Sequence, residues 1–229
     1  MATPVLLIAG QLLTERLWSP QIAALADRFE LIVADQSAHD TVGAMAAAIL
    51  KDAPERFSIV GHAMGAFVAF EILRQAPSRI ARLVLMSTLP SNDGPAQTAR
   101  REGYLRLVEA GRFGEVVEER LPLLLSPQRR SDAGLISAAR AMAAATGPDA
   151  FLRQQRAIMS RPDSRPSLGA IACPTLILFG RQDGIVTLAH QEEMRHGIPG
   201  ARLEILDDCG HLMTLEQPDR VNALLGEWL

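Results

Sequence analysis

Six short apolar runs constrain this chain more than any other feature: Val5–Ala9, Leu31–Ala34, Phe57–Val60, Leu83–Met86, Thr175–Phe179 and Leu203–Leu206. Most lack the apolar–polar alternation of a half-exposed strand, as expected for a parallel sheet covered on both faces. Helical patterns lie between them, at Trp18–Ala26, Thr41–Lys51, Met64–Gln75, Leu188–His196 and Pro218–Trp228. Strand and helix therefore alternate. This order predicts an α/β fold with a doubly wound, mostly parallel sheet of about six strands.

The rhythm breaks once. Residues 90–168 hold no strand candidate, only helical sequence at Thr98–Ala110, Ser131–Ala145 and Asp149–Ser160, punctuated by Gly111, Pro122, Pro127, Gly147-Pro148 and Pro162. The expectation is a core domain from 1–89 and 169–229, with 90–168 inserted as a helical cap. A cap there would sit over the carboxyl edge of the sheet, where α/β proteins place their sites.

Composition narrows the function classes. A chain of 229 residues with 48% hydrophobic content can bury one substantial core. Its net charge is −3 with both signs interspersed, and aromatics make up 4%, so neither a basic stripe nor a base-stacking platform is available for nucleic acid. The apolar start is cut short by Gly10 and Gln11 and reads as a strand rather than a signal or a membrane span. Cys173 and Cys209 are too few for a disulfide scaffold and read as reduced thiols, which suggests a cytoplasmic setting. The histidines do not converge with carboxylates at metal-ligand spacing. The expected partner is a small molecule, without metal, cofactor, nucleic acid or membrane, and the expected assembly is a monomer or homodimer.

One segment carries a specific chemical signature. Phe57-Ser58-Ile59-Val60-Gly61-His62-Ala63-Met64-Gly65 runs strand, sharp turn, helix, with glycines two before and two after the central position. A nucleophile elbow needs that spacing, because its strained turn leaves no room for flanking side chains. The central residue is Ala63, and the N–H that follows it, on Met64, faces the site as an oxyanion donor.

On Gly61-His62-Ala63-Met64-Gly65, Phe179-Gly180-Arg181-Gln182-Asp183, and Cys209-Gly210-His211 followed by Glu216-Gln217-Pro218, the chain resembles the α/β-hydrolase family of esterases, lactonases and carbon–carbon bond hydrolases. The resemblance covers nearly all of it. It implies serine at position 63, His-Gly where this chain has Ala9-Gly10, and two further strands ahead of the first one here. It also places the second oxyanion donor at Gln11.

The other triad positions stand on their own merits. Asp183 follows a strand and a glycine at the carboxyl end of the sheet, where a carboxylate can orient an imidazole. Asp93 is the alternative acid. His211 follows the last strand, so nucleophile, acid and base occur in the chain order used by this fold. His62, inside the elbow, reads as packing and turn geometry. Candidate pocket residues are Leu12, Trp18, Leu125, Met142, Ile185 and Leu212. Arg161, Asp163 and Arg165, where the cap rejoins the core, read as a hinge salt-bridge cluster or as a clasp for an anionic substrate.

Alanine has no atom that can attack a carbonyl. Loss of the nucleophile costs a serine triad roughly 10⁶-fold in turnover while binding and oxyanion donors survive. The sequence thus reads as a serine hydrolase of a small hydrophobic ester, lactone or related acyl compound, silenced by Ser→Ala at position 63. A natural binding protein and a cofactor-free dioxygenase using only His211 and Asp183 are the alternatives.

Overall fold

In the computed structural model, which describes residues 3–229, each of the six apolar runs becomes a strand. They are β1 (Val5–Ile8), β2 (Leu31–Val33), β3 (Phe57–His62), β4 (Ile80–Met86), β5 (Thr175–Gly180) and β6 (Arg202–Leu206). The sheet is entirely parallel in the order β2-β1-β3-β4-β5-β6.

Two apolar layers explain why the strands lack alternation. Leu6, Ile8, Ile59, Leu83 and Leu85 share one buried cluster with α2 (Val42–Asp52), α3 (Met64–Gln75) and α7 (Leu188–Gly197). The intervening Val5, Leu7, Val60 and Val84 share another with α1 (Ser19–Leu25) and α9 (Pro218–Trp228). Successive side chains point to opposite faces, and both faces are dry over the middle of the sheet, so the positions there are apolar without alternation. Exposure is confined to the edges and the start of β4: β2 is half-buried, β6 turns Arg202 out to solvent, and Arg82 is exposed near the start of β4.

Between β4 and β5 lie α4 (Pro95–Glu109), α5 (Phe113–Leu124) and α6 (Ala133–Met159). Leu12 joins Tyr104, Val108, Val116, Ala143 and Phe151 in a third cluster that ties these helices to the loop after β1. Two features of this region depart from the sequence expectation. Helix α5 occupies a stretch where Gly111 and Pro122 read as breaks. Gly111, at φ 75°, does end α4, but Pro122 is carried inside the last turn of α5, where it forfeits the single hydrogen bond that an N–H there would donate to the Glu118 carbonyl. Helix α6 spans both expected segments and bends at Gly147, whose φ of 73° and ψ of 168° suit only glycine, immediately before Pro148. The short α8 (Met213–Glu216) follows the loop after β6. Both cysteines are free, Cys209 buried and Cys173 half-buried. No described helix is long and apolar enough to cross a membrane.

Candidate active site

The turn from β3 into α3 is forced by two close approaches. A Cβ on Gly65 would lie 2.1 Å from the Ile8 carbonyl oxygen, and one on Gly61 would lie 2.9 Å from the Ala66 Cα. Both positions therefore admit only glycine, and α3 starts directly against the end of β1. Ala63, between them, is held at φ 49° and ψ −111°, a conformation costly for any residue with a Cβ. Its N–H donates to the Met86 carbonyl at 2.9 Å, and its own carbonyl accepts from the Thr88 hydroxyl at 3.1 Å. Bonds from β4 and the residues just after it thus brace the strained turn on both sides.

The loops after β5 and β6 bring Asp183 and His211 together. A Cβ on Gly180 would meet the Gly210 carbonyl oxygen at 2.2 Å, so glycine at the end of β5 is what lets the next loop pass. His211 Nδ1 lies 2.7 Å from Asp183 Oδ2. The other carboxylate oxygen accepts from the Ile185 and Val186 amides at 2.7 and 3.1 Å. Burial alone would raise the Asp183 pKa. The His211 charge, its hydrogen bond and the two amides outweigh burial and hold the carboxyl below the usual carboxylate range. An ionised Asp183 puts the proton on His211 Nδ1 and leaves Nε2 as the basic nitrogen.

His211 is also fixed through its backbone. Its carbonyl accepts from His62 Nε2 at 2.8 Å, with the two rings edge-on at 4.8 Å. A carbonyl only accepts, so His62 carries its proton on Nε2. Burial first, then the nearby His211 charge, lowers the His62 pKa to about 3 and keeps the ring neutral. The His211 and Leu212 amides both donate to the Leu124 carbonyl at 3.1 Å, at the end of α5. The Glu216 carboxylate accepts from Gly210 N–H and Ser126 N–H, each at 3.1 Å.

Ala63, His211, Gln11, Met64 and Ile185 line one cavity, roofed by residues of α4, α5 and α6. Met64 opens α3, where amides have no partner within the helix and are available to an oxyanion. Gln11 follows Gly10 in the loop after β1; a Cβ on Gly10 would press on His62 Nδ1 at 2.9 Å. That loop is held from above, since the Leu12 N–H donates to Gln154 Oε1 of α6 at 3.1 Å.

The remaining sequence candidates lie elsewhere. Trp18, Leu125, Met142 and Leu212 are buried in the layer beneath α1 and α9, and Leu12 packs among α4, α5 and α6; none lines the cavity. Asp93 is engaged by Arg101 at 2.5 Å and Arg161 at 2.8 Å. Arg161 is stacked 4.4 Å over the Phe67 ring, and Asp163 pairs with Arg165 on the surface. Several cavity residues carry no sequence signal of their own: Ser87 and Thr88 at the end of β4, Arg100, Arg101 and Tyr104 on α4, and Arg120 on α5. For Ser87 and Thr88, a place at a carboxyl strand edge is a usable clue. Arg120 lies in a helix whose sequence reads as a break.

Known proteins share the family and the fold. The family model described as the alpha/beta hydrolase family matches residues 5–224. A 2-hydroxy-6-oxo-6-phenylhexa-2,4-dienoate hydrolase of Comamonas testosteroni is 30% identical over 89% of this chain and 73% of its own length. A pimeloyl-[acyl-carrier protein] methyl ester esterase of Nitrosomonas europaea is 25% identical over 94% of this chain and 91% of its own. Among solved structures, a thermophilic esterase from Thermogutta terrifontis, with malate bound, is 30% identical with a TM-score of 0.90, covering 100% of this chain and 89% of that one. An enol-lactonase from Burkholderia xenovorans shares the fold at a TM-score of 0.88 and 21% identity, covering 100% and 92%. A match that runs from the first strand into the last helix, in agreement with the sheet order, makes this chain a member of the α/β-hydrolase family.

Proposed function

We propose that the chain is a serine-type acyl hydrolase whose parent form carries serine at position 63, present here as a binding-competent, chemically silenced alanine form. The observation that carries this reading is the coexistence of an oriented His211–Asp183 pair with a strained elbow at Ala63. Positive φ at a residue with a Cβ costs on the order of 1–3 kcal/mol, and an alanine there gains nothing from it. A serine would gain a hydroxyl held clear of the sheet, facing the basic Nε2 of His211.

In the parent form, His211 Nε2 takes the hydroxyl proton of the serine at position 63 as its oxygen adds to the substrate carbonyl. Asp183 fixes the tautomer and stabilises the imidazolium, and the Gln11 and Met64 amides receive the oxyanion. The leaving group takes the proton from His211, and water activated by the same nitrogen clears the acyl-enzyme. Helices α4–α6 serve as the cap that shields these steps from bulk water. The substrate is a small molecule bearing an ester, lactone or related acyl bond; the esterase names among the relatives support that class.

Ala63→Ser is expected to hydrolyse a short-chain p-nitrophenyl ester, with the rate abolished again by adding His211→Ala. Absence of any gain across a panel of esters, lactones and amides overturns the reading. Oxygen uptake by the Ala63 protein with an aromatic substrate points instead to dioxygenation by the dyad. Micromolar ligand binding by both forms, without turnover in either, points to a binding protein.

A further inference from the structure

We propose that arginines of α4 and α5 form an anion subsite in the roof of the cavity, so that the substrate carries a carboxylate several bonds away from the acyl bond that is cut. The proposal rests on the hydrolase reading for its chemistry but on separate residues for its support. Arg100, Arg101 and Arg120 line the same cavity as Ala63 and His211. Arg101 is neutralised by Asp93, which also serves Arg161. Among the described residues, neither Arg100 nor Arg120 has a carboxylate within 4.0 Å. The one nearby acid of α5, Glu119, is engaged by the Tyr104 hydroxyl at 2.9 Å.

Arg120 is the least compensated of the three cations. Its Nε is sealed from solvent and has no hydrogen-bond partner, and its guanidinium sits 5.8 Å from the Tyr104 ring centroid. Arg101 and Arg100 both repel its charge, and the group beside it that favours the charge is Tyr104, a phenol rather than a carboxylate. Burial, reinforced by those two cations, pushes its pKa down to about 10, which still leaves it charged at neutral pH. A largely enclosed cation without a counter-ion is costly, and a bound anion would supply the missing partner. A guanidinium fork matches a carboxylate in bidentate fashion, and a second arginine alongside adds charge without a geometric demand.

The rest of the lining sets the shape of the occupant. Phe67, Leu123, Ile158, Ile185 and Val186 supply apolar wall alongside the reacting centre and the arginines. This wall fits a short aliphatic or unsaturated segment, with the acyl carbonyl at one end and the carboxylate at the other. The half-ester of a short dicarboxylic acid, or the corresponding oxo-acid lactone, has that form. Spacing is fixed as well: Arg120 stands one helical turn before Leu124, whose carbonyl holds the His211 and Leu212 amides. The anion subsite and the base therefore move as one unit, and the cavity selects substrate length.

Binding to the Ala63 protein tests this without any turnover. Monomethyl esters of succinate, glutarate and adipate are compared with the corresponding dimethyl esters by calorimetry. The best monoester should bind about 10- to 100-fold more tightly than its diester, the scale of a hydrogen bond to a charged group. Arg120→Gln should remove that preference. Arg100→Gln, at a more exposed position, should reduce it while leaving the circular-dichroism spectrum unchanged, which covers the case of a misfolded Arg120 variant. Equal affinity for monoester and diester at every length, or a preference that survives both substitutions, overturns the subsite. The two proposals fail separately. Anion-selective binding together with an inert Ala63→Ser variant retains the subsite and removes the hydrolase. Turnover of neutral esters by Ala63→Ser without anion preference does the reverse.

Discussion

Ala63 holds a backbone conformation that its own side chain does not favour, and bonds to Met86 and Thr88 keep it there. Ala63→Gly removes the Cβ and its clash with the backbone while adding some unfolded-state entropy. The net expectation is a gain of about 1 kcal/mol, which for a chain of this size raises the melting temperature by about 2–4 °C. Calorimetric scanning checks it; a glycine variant that melts lower would show that the turn is not strained at this residue. The legibility of single residues follows from whether their meaning is local. Gly61 and Gly65 announce themselves because a tight turn needs glycine whatever the surroundings. The bond between Asp183 and His211 joins two residues that the sequence singles out separately, each trailing an apolar run and a glycine at the carboxyl edge. Arg120 has no such address: only the folding of three helices over the sheet brings it to the cavity.

At the scale of elements, the six strands are legible because burial on both faces leaves an unbroken apolar run, and α3 and α9 have the bounds that the sequence implies. Helix α5 is not, since Pro122 near its end looks the same in sequence as a proline that ends a helix. The junction of α5, α8 and the base loop depends on Glu216, whose buried carboxylate takes two backbone amides from different segments. Glu216→Gln leaves one of those amides facing an NH₂ group. Loss of a buried acceptor costs about 1–3 kcal/mol. Urea unfolding should register a decrease of that size. In an Ala63→Ser background the same change should lower kcat more than it raises KM, because what shifts is the loop carrying His211. A fall in stability with kcat unchanged would confine Glu216 to a packing role.

For the whole molecule, the two-layer core makes pH a sensitive probe of the site. His62 has an ordinary pKa of 6.5 when unfolded and about 3 when folded. Between those values the unfolded chain holds a proton that the folded one does not, so stability rises with pH across that interval. It is intact above about pH 6.5 and falls on acidification by up to ~1.4 kcal/mol per pH unit from this one group. Asp183, with its pKa held below the usual carboxylate range, contributes in the same direction only at lower pH. His62→Gln retains an N–H donor without titrating, so its unfolding midpoint should change less between pH 7 and pH 5. Identical pH slopes for the two proteins would assign the acid sensitivity to other groups.

The contacts of α5 with the loops of Asp183 and His211 bear on how such proteins diversify. A Cβ on Gly184 would lie 2.8 Å from the Leu123 carbonyl oxygen, and the Leu124 carbonyl receives two amides from the loop of the base. The roof is therefore not a detachable accessory on a finished engine. A chimera that takes its whole 90–168 segment from a relative also imports the seat of the imidazole. One that keeps residues 121–126 native and exchanges only what lies upstream changes the ligand-facing arginines and leaves the alignment of the base alone. Specificity in this scaffold is thus free to drift along α4 and the first turns of α5, and is tethered at the last.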